Sequence, residues 1–390
     1  MANDQTAPKP RSLWTALPGQ VLAFSLLFAL VSISLAEAFL FAATVLWAVG
    51  LLVEKREFRA PGFFLPLLAY AALSLVASAF SVNPAVSFLD CRELALYLMV
   101  PVAYMSLRDL GLVRRANNAI LASAAASILY AFYHEIFQAA PEERIRGFMG
   151  HYMTQAGLLA MVMALAMAMA LFGRGKVRIL WGTAALAAGV ALEMTLTRSA
   201  WIGVAAAACV LVLVWKPKFI LVVPALVVLV FMVSPASVKR RALSIFTLQG
   251  FSNRIRVEYL RAGTAIVRDH PLLGTGPDTV DMVFQDPKYG LSEDAKRNVH
   301  LHNTMVQIAA ERGLPALAAW LAFIAWAAAA LVKAVRARDP DRLPLAAGGL
   351  AALTVMVVAG FFEYNFGDSE IAILFLYLIT MPFAGKESAS

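Results

Sequence analysis

A chain of 390 residues with 61% hydrophobic and only 15% charged residues, at a mean hydropathy of +0.73, is not a string of soluble domains but a polytopic membrane protein. Its net charge of +8 and pI of about 9.6 do not make it a nucleic-acid binder, because the cations fall in short clusters between apolar runs, as bilayer orientation requires. The two cysteines, Cys91 and Cys209, lie in or beside apolar segments without ligand spacing, which argues against a disulfide framework and a zinc site.

A helix needs roughly 20 apolar residues to cross the hydrocarbon core, fewer with polar ends. Twelve stretches answer to that description: 17–34, 37–53, 62–80, 89–107, 116–134, 153–173, 178–195, 199–215, 218–234, 314–333, 344–362 and 368–384. The first follows a polar start and lacks a small-residue cleavage site, so it reads as an uncleaved span. The expected fold is all-α, a single integral membrane domain over 1–390, with one long polar segment at 235–312 that contains short helices.

Lys9 and Arg11, Lys55 and Arg56, Arg108 with Arg114 and Arg115, Arg174 to Arg178, Lys216 with Lys218, and Lys333 to Arg342 all fall on one side of these spans. The positive-inside rule makes that side cytoplasmic, with both termini, and puts 235–312 outside. Glu37, Asp90, Arg92, Glu93, His134, Glu135, Glu193 and Arg198 lie at outer span ends. Secondary transporters place coupling groups near the midplane, so this distribution favours chemistry at the outer face over a lipid-glycan transporter.

Taken in order, the outer side first offers Arg144 and Arg146, either solvated charge or anion contacts. Arg198 sits in a tight hairpin between spans seven and eight, where a guanidinium reaches phosphates or snorkels beside Trp201. From Asn253 to Asp269 the pattern predicts a helix at the membrane surface, with Tyr259 and Ile266 as apolar contacts. Arg254, Arg261 and Arg268 recur every seven residues and share one face, while Arg256 points about 200° away from Arg254. Such a row holds phosphates or rests on anionic headgroups.

Asn303 is the expected N-cap of a short helix over Thr304 to Ala310, ended by Gly313-Leu314-Pro315. That puts His302 at a helix start, where an imidazole serves as a general base near neutral pH. A metal pair of His300 and His302 lacks an obvious third ligand, so no metal is expected.

Thr197-Arg198-Ser199-Ala200-Trp201, then Asp269-His270-Pro271-Leu272-Leu273-Gly274-Thr275-Gly276, then His302-Asn303-Thr304 with Gln307 and Glu311-Arg312-Gly313-Leu314, form an ordered set between roughly 195 and 320. This set resembles the signature of the O-antigen ligase and O-antigen polymerase superfamily. The resemblance implies a GT-C-like, cofactor-free and metal-independent inverting glycosyltransferase of the bacterial inner membrane, with its active site facing the periplasm. Its expected partners are undecaprenyl-pyrophosphate-linked O-antigen, a lipid A-core acceptor and membrane lipid. Carried over by motif, His302, Arg198 and Arg254 are the catalytic candidates, with Arg256 the alternative to Arg254. Arg256, Arg261, Arg268, Arg144, Arg146 and Asn303 are the substrate-binding candidates. The Trp frequent in the family's loop helix is replaced here by Tyr259 or Leu260. Overall likeness, with twelve spans and one dominant outer loop, makes ligation the expected activity over polymerisation, and a short chain without an added C-terminal domain argues against many protein-glycosylating members; polymerisation and protein glycosylation are the alternatives.

Overall fold

The computed structural model describes residues 13–137, 144–247 and 250–385. Lys9, Arg11 and both termini lie outside the described residues, which are helical and contain no strand.

The first hairpin pairs α1 (Leu13–Phe28) with α2 (Ile33–Val53), and α3 (Phe64–Ala79) follows. The stretch at 89–107, expected as one span, is three pieces instead: α4 (Pro84–Asp90), a 3-10 turn over Cys91–Leu98, and α5 (Met99–Ser106). Asp90, Arg92 and Glu93 interrupt its apolar pattern near the start, where Asn83 caps α4 and Pro84 occupies its first turn. Then come α6 (Leu110–Phe137), α7 (Tyr152–Phe172), α8 (Gly175–Met194), α9 (Arg198–Trp215) and α10 (Val222–Val233). The long polar segment holds α11 (Ala236–Leu243), α12 (Phe251–Asp269) and α13 (Val280–Val283), and α14 (Thr304–Arg336), α15 (Leu343–Gly360) and α16 (Ser369–Thr380) complete the bundle.

Seven of these helices, α2, α6, α7, α8, α9, α14 and α15, are long and apolar enough to cross a bilayer, fewer than the twelve spans read from the sequence. Shorter apolar helices lie within or around α1, α3, α10 and α16. Helices that are apolar on every side must either sit inside a bundle or face lipid. Both kinds occur: Ile371 to Thr380 of α16 are all buried, whereas Leu226 to Val230 of α10 are all exposed.

The buried apolar side chains form two clusters, one through the bundle and one within the long polar segment. The second gathers Ile255, Tyr259 and Ile266 of α12 with Phe284, Leu291 and Leu301. The apolar face of α12 therefore packs on the segment's own core, where a fully buried side chain such as Phe284 contributes about 1.5–3 kcal/mol.

Two glycines join this small core to the bundle. Gly313 (φ 81°, ψ 169°) breaks α14 into the short helix over Thr304–Arg312 and the long apolar one. Across the break, Thr275 N donates to Ala310 O at 2.9 Å, Gly276 N to Glu311 O at 2.8 Å, and Leu314 N to Pro271 O at 2.8 Å. A side chain at Gly274 would meet the Glu311 backbone, and one at Gly313 would meet that of Leu272. Both positions have positive φ, so glycine alone meets the demand for conformation and for space.

Candidate active site

Asn303 is the N-cap anticipated from the sequence: its Oδ1 accepts from Met305 N at 3.1 Å and Val306 N at 3.0 Å. Its Nδ2 donates to Phe361 O at 3.0 Å, and Thr304 Oγ1 donates to Glu363 O at 2.9 Å. The helix start is thereby clipped to the turn that follows α15. From that turn the Glu363 carboxylate reaches back to His302 Nδ1, at 2.9 and 3.0 Å from its two oxygens, and to His300 Nε2, at 3.1 Å.

Glu363 is only 5% exposed. Burial alone would push its carboxyl up, but the hydrogen bonds and charges of His300 and His302 hold it well below the usual carboxylate range. For His300 burial works downward and Glu363 upward, and Glu363 prevails. An ionised Glu363 can only accept, so Nδ1 of His302 donates to it and Nε2 is the ring nitrogen outside that bond. His302 is held at φ 50°, and its ring packs 5.5 Å from Tyr259 and 4.6 Å from His300 between centroids.

The motif residues downstream brace this segment. Gln307 Oε1 accepts from Leu301 N at 2.7 Å, and its Nε2 donates to Glu311 at 2.8 Å. Arg312 joins Glu311 at 2.7 Å, Asp90 at 2.8 Å and the Tyr364 hydroxyl at 3.2 Å. Each buried charge in this network has an opposite charge or a hydrogen-bond partner, the condition under which burial is tolerated.

Arg198 opens α9, but it does not snorkel. It is 8% exposed, and its two Nη atoms donate to Ser244 O, Ser244 Oγ, Ser252 Oγ and Asn253 Oδ1 at 2.7–3.3 Å. Thr197 is the N-cap residue, yet its hydroxyl bonds back to Thr195 O and does not cap α9. Ser252 also accepts from Arg256 Nη1 at 2.7 Å, and Arg256 Nε donates to Phe362 O at 3.2 Å, one residue from Glu363. Of the two loop arginines left open by the sequence, Arg256 is the one joined to Arg198. Arg254 is directed outward, over the Phe251 ring and towards Glu258 at 3.9 Å.

Arg261 and Arg268 share the exposed face with Arg254, as their spacing anticipates. Arg144 lies over the Tyr152 ring at 4.5 Å, beside the α8–α9 hairpin through Ile145 N to Met194 O, while Arg146 is exposed on the same loop. Arg241, not anticipated, donates to Leu196 O at 3.1 Å and has its pKa lowered by burial and by the charges of Arg144 and Arg256. Arg144, Arg198, Arg241 and Arg256 thus form one basic cluster. Glu363 was also missed; its only signal was being an acid in the cation-poor loop after span eleven.

The expectation that a His300–His302 pair lacks a third metal ligand is corrected by Glu363, since the ligand atoms of all three lie within 4.8 Å of one another. As they stand, the carboxylate is committed to imidazole N–H groups at 2.9–3.1 Å. A metal would have to displace those protons and separate the three groups.

No curated protein matches the chain. Residues 183–321 match the family model described as O-antigen ligase, a range that holds Arg198, α12, the glycines of the joint and His302, and that stops short of Glu363. That stretch, little more than a third of the chain, is similar to the O-antigen ligase family, and it lies in a chain whose long apolar helices mark a membrane protein.

Proposed function

We propose that the protein transfers an O-antigen glycan from undecaprenyl pyrophosphate to a hydroxyl of a lipid A-core sugar, with inversion, at the periplasmic face of the bacterial inner membrane. The observation that carries this reading is His302, its Nδ1 committed to a buried carboxylate and its Nε2 outside that bond, one turn of chain from an arginine cluster. The acceptor O–H gives its proton to His302 Nε2 while its oxygen attacks the anomeric carbon. The bond from that carbon to the pyrophosphate oxygen breaks, and undecaprenyl pyrophosphate leaves.

Each group has a physical task. Glu363 holds His302 in one tautomer and stabilises the imidazolium that forms, and general-base help of this kind is worth about 10²–10⁴ in rate. Arg256, Arg241 and Arg144 meet the charge that grows on the leaving pyrophosphate, and Arg198 adds its field while holding Ser244, Ser252 and Asn253 against α9. Asn303 fixes the approach of His302 to the 361–363 turn. The exposed row of Arg254, Arg261 and Arg268 steers anionic donor or headgroups toward this face.

The test combines purified protein with lipid-linked glycan and lipid A-core, and looks for the joined product. A lengthened lipid-linked glycan with unused core would make the enzyme a polymerase. Binding of the donor with no new bond would remove the transferase reading. Cysteines placed between Gln285 and Asn298 are expected to react with an impermeant reagent added outside, and those at Arg336 or Arg338 are not; the reverse pattern would overturn the orientation.

A further inference from the structure

His300 also lines a cavity of about 220 Å³ that includes none of the four clustered arginines. Five carboxylates border it, from Asp90, Glu93, Asp278, Glu311 and Asp368. Asp90 and Glu311 are ion-paired with Arg312; Glu93, Asp278 and Asp368 are not, and burial pushes the carboxyl of each of these three up, Glu93 and Asp368 to about 7. Tyr70, Tyr97 and Tyr364 give the cavity aromatic walls. Arg312 lines it as well, 6% exposed, with an Nε that finds no hydrogen-bond partner among the described residues.

Three consecutive residues tie this cavity to the reacting groups. Phe362 accepts from Arg256, Glu363 bonds both histidines, and Tyr364 stands in the cavity wall. The turn therefore has cations at one end and the cavity at the other, with the base between them. In an inverting attack the acceptor must approach opposite the leaving pyrophosphate.

We propose that this cavity is the acceptor-sugar subsite, and that it selects a neutral or amino sugar ring over one bearing phosphate or carboxylate near the reacting hydroxyl. The proposal rests on the transfer reading above. Its volume equals about seven waters at ~30 Å³ each, the scale of one sugar ring with its hydroxyls. Sugar hydroxyls donate to carboxylates, an amine adds charge attraction, and the apolar ring face suits tyrosine. A pyrophosphate or phosphorylated sugar would bring its charge against three carboxyls that burial already disfavours as anions, a like-charge cost of the kind interfaces use to reject wrong partners.

The experiment measures binding of a neutral oligosaccharide, of its amino-sugar counterpart and of its phosphorylated counterpart, without donor, by saturation-transfer NMR and calorimetry. Steady-state transfer is measured on the same preparations, with thermal melting as the check on folding. The variants are Asp278→Asn with Glu93→Gln, both at exposed positions, then Asp368→Asn, and Arg256→Ala as the contrast. Asparagine suits position 278, whose φ is 54°.

Wild-type protein is expected to prefer the neutral and amino oligosaccharides. Each cavity variant is expected to weaken their binding and raise the acceptor KM about tenfold, the loss of a charged hydrogen bond, with the donor KM unchanged. Arg256→Ala is expected to do the converse. Equal affinity for the phosphorylated oligosaccharide, or cavity variants that move only the donor KM, would overturn the subsite. Transfer with saccharide binding indifferent to the cavity acids overturns the subsite and leaves the transfer reading intact. Saccharide binding without transfer overturns the transfer reading, and absence of both overturns both.

Discussion

The two ends of the Phe362–Tyr364 turn carry opposite electrostatics, and they manage it differently. At the arginine end, Arg144, Arg198, Arg241 and Arg256 crowd together, and their partners are mainly hydroxyls, carbonyls and an aromatic ring. At the cavity end the acids have Arg312 as an internal counter-ion, bonded to two of them. Crowded cations held by neutral groups repel one another until an anion arrives, so binding an anion relieves a cost already present in the fold. A partly neutralised acid cluster has less to gain from a lone ion and more from a hydroxylated ligand that uses its acceptors. The difference teaches that the arginine end is arranged to receive charge and the other to receive hydrogen-bond donors.

The largest expected effect falls on the group between them. His302→Ala is expected to lower kcat by about 10²–10⁴ at near-normal membrane abundance, since it removes the base and leaves the helix cap in place. Glu363→Gln keeps the shape but loses the charge, and a loss of roughly tenfold to a hundredfold is expected, with a changed pH–rate profile. Activity within twofold of wild type in His302→Ala would separate the turn from catalysis altogether.

Next in size is the arginine end. Arg256→Ala is expected to raise the donor KM by about tenfold or more, whereas Arg254→Ala on the outward face stays within about twofold. Arg198→Lys is expected to lower both activity and thermal stability, by about 1–3 kcal/mol in stability, because one ammonium cannot replace a fork that meets four acceptors. Equal effects at 254 and 256 would show that the row along α12, not the cluster around Ser252, meets the donor.

A smaller effect concerns pH. The pKa of His300 is raised, so its share of the bond to Glu363 is fully present below its unfolded value near 6.5 and is lost as pH climbs through the raised value. The Glu363 carboxyl is depressed, so its share is present above about 4.5 and is lost only as pH falls through the depressed value. The difference in Tm between wild type and His300→Gln should therefore be widest between about pH 4.5 and 6.5, and should close at alkaline pH. A gap that widens with rising pH would mean His300 is neutral throughout.

The smallest expected change is from chelation. With His300 and His302 both bonded directly to Glu363, transfer should run at its full rate in excess chelator. Added Zn²⁺ should inhibit by pulling the three groups into its own coordination. Loss on chelation with recovery by one divalent ion would assign the triad to a metal and remove His302 as the base.

Several features of this centre were legible from local sequence. The cap at Asn303, the break at Gly313 and the seven-residue row of Arg254, Arg261 and Arg268 all appear in the structure where spacing placed them. The choice between Arg254 and Arg256 was not legible, because periodicity separates faces of a helix without saying which one meets a neighbour. Tyr259 shows the same limit: its apolar character was evident, but the core it enters comes from residues as distant as Ala310.

Composition, the alternation of apolar runs with cation clusters, and the capping and glycine signals by themselves determined an all-helical membrane chain. They could do so because solvent partition and helix termini depend on neighbours a few residues apart. Only the tertiary structure decided that Glu363 holds His302 from 61 residues away, that Arg312 pairs with Asp90 across 222, that Arg256 and not Arg254 joins Arg198, and that the stretch at 89–107 breaks into short helices. Those contacts depend on how the helix ends are brought together by packing, and no local propensity encodes that.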